Sequence, residues 1–245
     1  KPVGTGPFMV KEWVPKSHVT LVRNPDYAWP PATATHRGPA HLDEITWRFV
    51  PEATTRTAVL TTGEAHIAED LSYADVAGLG RNPDVRLLRG VPAGTPWTIF
   101  PNVQRFPTND PAVRRALHHA ISKDAIVRVV FHGQSQAAGS LIQPPTPGFV
   151  PVAKELFPYD AARAKKILDD AGWKPGGDGI RVKDGKRLEI LWILGTNNGY
   201  EEMAPLIQGM AREVGIDIQL REQPRVQMYE AWRKGEHGIG ELNWW

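Results

Sequence analysis

The stretch from Asn109 to Gly133, NDPAVRRALHHAISKDAIVRVVFHG, constrains the fold more than any other part of this chain. Asp110 stands where it can cap a helix whose first residue is Pro111, a position at which a missing N–H costs nothing. Val113, Ala116, Leu117, Ala120 and Ile121 then recur at helical spacing and form one apolar face. Ser122 is a second cap, and Asp124 falls in a first turn, where a helix N-terminus favours negative charge. Ile126, Val129 and Val130 carry the spacing on to Gly133, which reads as a stop. The pattern predicts two amphipathic helices joined by a corner. Nothing in it is catalytic in type, so it reads as a scaffold that presents a neighbouring loop.

The rest of the chain alternates between strand and helix patterns. Phe8 to Val14 and Val19 to Arg23 read as a hairpin with Pro15, Lys16 and Ser17 at the turn. Asp43 to Val50 predicts a strand, Thr54 to Thr62 a helix ended by Gly63, and Glu64 to Ala68 another strand. That order suggests a parallel pair with a crossover. Leu71 to Leu79 reads as helical, and Val85 to Leu88 and Thr98 to Phe100 as strands. Gln134 to Pro158, rich in Pro, Gly and small residues, is a long loop of the kind that often carries function. Asp160 caps a helix with Ala161, Ala164, Ile167, Leu168 and Ala171 on one face and Gly172 as its stop. Gly176 to Gly185 is hairpin-like. Leu188 to Leu194 is nearly continuous apolar, a buried strand. Met203 to Val214 is helical in spacing, and Ile216, Ile218 and Leu220 alternate as a strand. Val226 to Lys234 is a helix candidate, and the end of the chain is a strand. The composition shifts between Leu88 and Asn102, which places a boundary there: a β-rich part, residues 1–101, and an α/β part, residues 102–245.

Bulk properties narrow the function classes. The 245 residues are 41% hydrophobic, with 29 basic and 27 acidic side chains interspersed, so no footprint for nucleic acid stands out. Cysteine is absent, which removes disulfides, thiolate metal sites and cysteine nucleophiles. No apolar run approaches the ~20 residues of a membrane span. The nine tryptophans are spread along the chain and read as core and strand packing, with some available to line an aromatic ligand pocket.

Searches for catalytic chemistry mostly fail. Gly4 and Gly6 invite a phosphate-loop reading, but Met9 is not a third glycine and no strand precedes them, so a tight backbone lead into the hairpin is expected instead. Ser135 sits in Gly-Gln-Ser-Gln-Ala, one residue short of a nucleophile elbow, and with a helix before it rather than a strand. His118 and His119 are adjacent, so their side chains diverge by about 100° on a helix, one expected at the core edge and one on the surface. Asp169 and Asp170 diverge in the same way. Gly185-Lys186 lacks the rest of a Walker pattern. The remainder describes a ligand-binding module with two lobes and many aromatics.

Several stretches taken together resemble one family. Val3-Gly-Thr-Gly-Pro-Phe8, Trp13 and Arg23-Asn-Pro-Asp-Tyr27 resemble the opening signature of family 5 extracellular solute-binding proteins. Gly63-Glu64, Val113-Arg-Arg-Ala-Leu117 with Ala120-Ile121 and Gly133, Tyr159-Asp160 through Ala171-Gly-Trp173, Gly215-Ile216 and Trp244 continue the register over essentially the whole chain. Two positions depart from the pattern: Gly238 stands in place of an Asp, and Ser122 in place of an Asp before a basic residue.

The resemblance implies an α/β, periplasmic-binding-protein-like type II two-lobe fold, of which this chain would be part of the first lobe and most of the second. It implies the substrate-binding component of an ABC importer, which captures an oligopeptide-like solute between lobes and delivers it to a permease. It implies no catalytic residue, cofactor or metal, no nucleic acid, a monomer, and a periplasmic or cell-surface location whose signal segment would lie upstream of Lys1. By register it points to Trp244 and Asn102 at the ligand, with Trp245, Tyr229, Trp232 and Glu241 at neighbouring positions. A serine- or metal-dependent hydrolase, using Ser135 or the His118-His119 pair, and a peptide-binding chaperone or sensor stand as alternatives.

Overall fold

A computed structural model of the chain describes residues 3–196 and 199–244, with backbone alone at Ala153, Lys154, Asn243 and Trp244. The chain forms two compact units, Lys1–Val85 and Arg86–Trp245.

In the first unit the expected hairpin is present as β1 (Phe8–Val14) and β2 (His18–Arg23), and β3 (Glu44–Arg48) adds antiparallel to the other side of β2. A bulge at Lys11 shifts the β1 register, and Trp13, Val19 and Trp47 then fall opposite one another. Strand alternation gathers Val10, Trp13, Val19, Leu21, Ile45 and Trp47 on one face. Trp13 and Trp47 are 61% and 53% exposed, so they are not the packed core expected of them. The Gly-Thr-Gly-Pro segment is pinned by its carbonyls: Asn24 donates to Gly6 O, its backbone N–H to Pro7 O, and the Trp29 indole to Thr5 O. Neither Gly4 nor Gly6 takes a positive φ or meets a close neighbour, so the segment does not depend on glycine for its shape here.

Helices α1 (Ala53–Thr61) and α2 (Tyr73–Leu79) follow. The parallel crossover expected after α1 does not form. Gly63, at φ +77°, turns the chain back so that Ala65 N–H bonds Val59 O at the helix end. Residues 64–68 are therefore committed to the helix terminus, and no strand forms there or at residues 85–88.

The second unit is built on a four-stranded sheet in the order β4 (Thr95–Pro101), β10 (Ile239–Trp244), β8 (Glu189–Gly195), β9 (Asp217–Gln223). Strands β8, β9 and β10 are parallel and β4 is antiparallel to β10. Strand β4, placed by composition in the first part of the chain, thus pairs with the last strand.

The helical corner is as the sequence predicts. Helix α3 (Pro111–Ala120) is capped by Asp110, whose carboxyl accepts from Ala112 N–H, and α4 (Lys123–Val129) by Ser122, which accepts from Ala125 N–H. Val113, Ala116, Leu117 and Ala120 are all 4% exposed or less, whereas Val129 is turned outward at 56%. After the long loop come α5 (Ala153–Leu156) and α6 (Ala161–Asp170), the latter capped by Asp160. Alanines at 112, 116, 120 and 164 let α3 and α6 pack closely, together with α7 (Tyr200–Glu213), over Ile190, Trp192 and Leu194 of β8. Each such fully buried aliphatic side chain contributes roughly 1.5–3 kcal/mol. Helix α8 (Arg225–Arg233) covers the other face of β8, where Ile193 meets Met228 and Ala231.

Between α6 and β8 lies a small antiparallel ribbon of β5 (Lys174–Pro175), β6 (Arg181–Lys183) and β7 (Lys186–Arg187). Buried Arg181 anchors it: its guanidinium donates to Val214 O, Trp173 O and, at 2.6 Å, Asp169. Asp169 is held below the usual carboxylate range by that bond. Asp170 instead takes Lys166, so the two carboxylates do diverge.

Candidate functional site

The winding of the central sheet reverses between β8 and β10. Strand β8 leads through α7 to β9 on one side, and β9 leads back through α8 to β10 on the other, with α7 and α8 on opposite faces. Such a switch point opens a crevice outside the carboxyl ends of the strands, where open α/β sheets bind ligands. The ladder shows the opening. Strands β8 and β9 stay paired to Gly195 and Gln223, but among the described residues β8 and β10 pair only at Trp192 and Ile239. Beyond that point β10 continues along β4, to Trp244 opposite Thr95.

Glu241 spans this gap. It is 3% exposed, and its carboxyl accepts from the Trp192 indole at 3.1 Å and from Gly195 N–H at 2.9 Å. One side chain on β10 thus holds two groups on the diverging end of β8. Tyr200, the first residue of α7, reaches the same place. Its hydroxyl accepts from Thr98 N–H at 3.0 Å and faces the Leu242 and Thr98 carbonyls at 2.8 and 3.1 Å. Burial, with a further push from Glu241, raises the Tyr200 pKa well above its ordinary value, so the phenol stays protonated. Trp97 lies against Tyr200 with ring centroids 4.9 Å apart. The loop into α7 passes so close that a Cβ on Gly199 would sit 2.6 Å from the Trp97 ring, and its φ of +82° also favours glycine. At the same end of the sheet, the buried Gln223 Oε1 has no hydrogen-bond partner among the described residues.

The residues picked out by sequence are not all brought together. Trp244 ends β10 at the crevice, although only its backbone is described, and Trp245 lies outside the described residues. Asn102 stands at the opposite end of the sheet, just past the pairing of Pro101 with Ile239. A six-residue strand, ~20 Å, separates it from Trp244. Its amide donates to His237 O, its Oδ1 accepts from Gln104 N–H, and its carbonyl accepts from Thr108. Trp232 is half-buried on α8 and donates to Ile193 O, and Tyr229, 45% exposed, meets it edge-on. Phe100 and buried His237 complete an aromatic group with Trp232. The His237 pKa is lowered by burial and by Arg105. Sequence reasoning missed Tyr200, Trp192 and Trp97. No periodicity marks them, because their roles depend on which strand ends diverge.

Ser135 is exposed in the loop after α4, without the strand–turn–helix of an elbow. His119 is 2% exposed, with Nδ1 2.7 Å from Pro158 O, while His118 stacks on Phe157 at the surface. Among the described residues no group of His, Asp and Glu is arranged to hold a metal.

A switch point on an α/β sheet whose parting strand ends are bridged by a buried carboxyl is the place where such sheets bind ligands, and it marks the unit as a ligand-binding module. The chain belongs to the bacterial extracellular solute-binding proteins, family 5 Middle, whose model matches residues 1–245. It is 31% identical over 244 residues to the nickel-binding periplasmic protein of Escherichia coli K12, covering 97% of this chain and 45% of that protein. It is 35% identical over 219 residues to the glutathione-binding protein GsiB of Salmonella choleraesuis, covering 89% and 39%. Among solved structures it is similar to NikA from Brucella suis, in complex with Fe(III)-EDTA, with a TM-score of 0.85, 28% identity and coverage of 99% and 48%. It is also similar to DppA from Helicobacter pylori, in complex with the peptide STSA, with a TM-score of 0.78, 26% identity and coverage of 100% and 43%. The chain spans about half the length of the relatives it matches or less. The two departures from the family pattern have local reasons. Ser122 still caps its helix. Gly238 passes so close to β8 that a Cβ would sit 2.8 Å from the Ile190 side chain, while its N–H bonds Leu191 O.

Proposed function

We propose that this chain is part of the substrate-binding component of an ABC importer, and that it takes an oligopeptide-like solute at the carboxyl end of the β4-β10-β8-β9 sheet. The observation that carries this reading is the Glu241 bridge across the β8/β10 divergence. It fixes the mouth of the crevice without using a surface group, and leaves the end of β10 to meet ligand. In this reading Trp244 and Trp245 contact the solute. Glu241, Trp232 and Asn102 set the strand ends and the α8 surface, and Tyr229 forms the rim. The first compact unit, residues 1–85, belongs to the first lobe of the family architecture and the second, residues 86–245, to the second, which moves β4 across the boundary expected at residue 101. A solute that touches both lobes favours the closed state through differential affinity alone. The importing protein works outside the cytoplasmic membrane, as a monomer, with a permease as its partner, and performs no catalysis. It has no role with nucleic acid.

Native mass spectrometry of the protein purified from its source cells tests this. A retained peptide-like solute, released by Trp244→Ala, is expected. A retained nucleic acid, or turnover of a peptide pool, would overturn the reading.

A further inference from the structure

A concavity of the second unit lies on its outer helices, away from the sheet ends. It is an open groove of about 440 Å³ between α3 and α6, and Leu156, Phe157, Ile167 and Ala171 give it an apolar lining. That volume falls in the range of small-molecule sites. The Phe157 ring is held in place by stacking on His118, with centroids 4.4 Å apart, and by the Pro158 carbonyl that bonds His119.

Arg115 of α3 and Arg163 of α6 reach the groove from its two sides. Neither guanidinium has an acceptor among the described residues. One carboxylate, Asp170, also lines the groove, where it is neutralised by Lys166, while Asp160 caps the Arg163 N–H. Glu155 stands on α5 outside the lining. Two guanidiniums with no protein partner among the described residues, beside an apolar lining, present charge and hydrogen-bond donors to an anion, and Arg matches carboxylate in its fork geometry.

We propose that this groove binds a small amphiphilic anion, a carboxylate on an aromatic or aliphatic body. The carboxylate lies between Arg115 and Arg163, and the body lies on Phe157, Leu156 and Ile167. The site is separate from the sheet-end crevice and does not depend on the transport reading. Because the groove is open to water, binding is weak, with half-saturation at about millimolar concentration, near −4 kcal/mol.

The test is an NMR titration of the whole chain with 4-phenylbutyrate. Saturable amide shifts are expected at residues 112–119 and 163–171 and not at 192–200. Acetate and 4-phenylbutylamine serve as controls, lacking the body and the negative charge respectively. Both should bind at least about tenfold more weakly, the factor that one lost interaction of ~1.4 kcal/mol produces. Arg115→Gln with Arg163→Gln should abolish the shifts while leaving the rest of the spectrum unchanged, since both side chains are exposed. No saturable shift with 4-phenylbutyrate, equal binding of the amine, or undiminished binding by the double variant would each overturn the proposal.

Discussion

Glu241→Gln is the most informative single change in this protein. The glutamine keeps one oxygen and replaces the other with an NH2 group. That NH2 must face either the Trp192 indole N–H or the Gly195 N–H, both of which donate to the carboxyl. One of the two donors therefore loses its acceptor inside the protein, because Glu241 and Trp192 are 3% and 0% exposed. A buried donor left unsatisfied costs about 1–3 kcal/mol, and the lost hydrogen bond is the same event, so the two are not summed. The expected loss of stability is about 1–3 kcal/mol by urea unfolding. Pairing the change with Trp192→Phe, which removes the indole N–H, isolates the contact. The double variant should be less destabilised than the sum of the singles by about 1–2 kcal/mol, the coupling typical of groups in one hydrogen-bond network. Additive costs would refute the argument that Glu241 fixes the crevice through Trp192. So would a Glu241→Gln protein of unchanged stability.

Leu117→Ala, in the α3 core, should cost about 2–5 kcal/mol in the same assay, and a loss below about half a kcal/mol would mean that the helix faces elsewhere. Burial pushes the Asp110 carboxyl up, but Ala112 N–H, the Trp173 indole and Lys183 more than offset it and hold the group below the ordinary carboxylate range. Its contribution is therefore complete above the unfolded-state pKa of ~3.9 and is lost as pH falls through the lower folded value. Asp110→Ala should cost about 1–3 kcal/mol near neutral pH through the lost cap and the stranded indole, and should flatten the stability profile in acid, checked by urea melts from pH 6 downward. Gly199→Ala should cost about 1–3 kcal/mol from backbone strain alone and shift the Trp97 indole NMR signal, since the new Cβ meets that ring.

The helical corner was legible because its determinants are local. A cap, a proline at the first position and apolar residues three and four apart act within two turns of one another, so Asp110, Leu117 and Ser122 can be read from neighbours in the chain. The buried β8 run and the β9 alternation were legible for the same reason. The segment at residues 64–68 misled because its alternation has no partner strand, and a strand pattern carries no information about whether a ladder is waiting for it. The tryptophans of the first sheet show the same limit. Val10, Trp13, Val19 and Trp47 alternate as a packed face should, yet alternation does not say what covers that face.

The candidate site lies further from the sequence. The family motifs gave the class of protein and drew attention to Trp244 and Glu241, but no spacing along the chain relates Glu241 to Trp192 and Gly195, some fifty residues earlier. That relation exists only because the winding reverses between β8 and β10 and the two strand ends part. The same reversal leaves Asn102 at the far end of the sheet from Trp244. Local hydrogen-bond geometry and side-chain periodicity are written in consecutive residues. Strand order, and with it the place where a crevice opens, is set by which long-range pairings bury the most apolar surface, and only the assembled structure decides that.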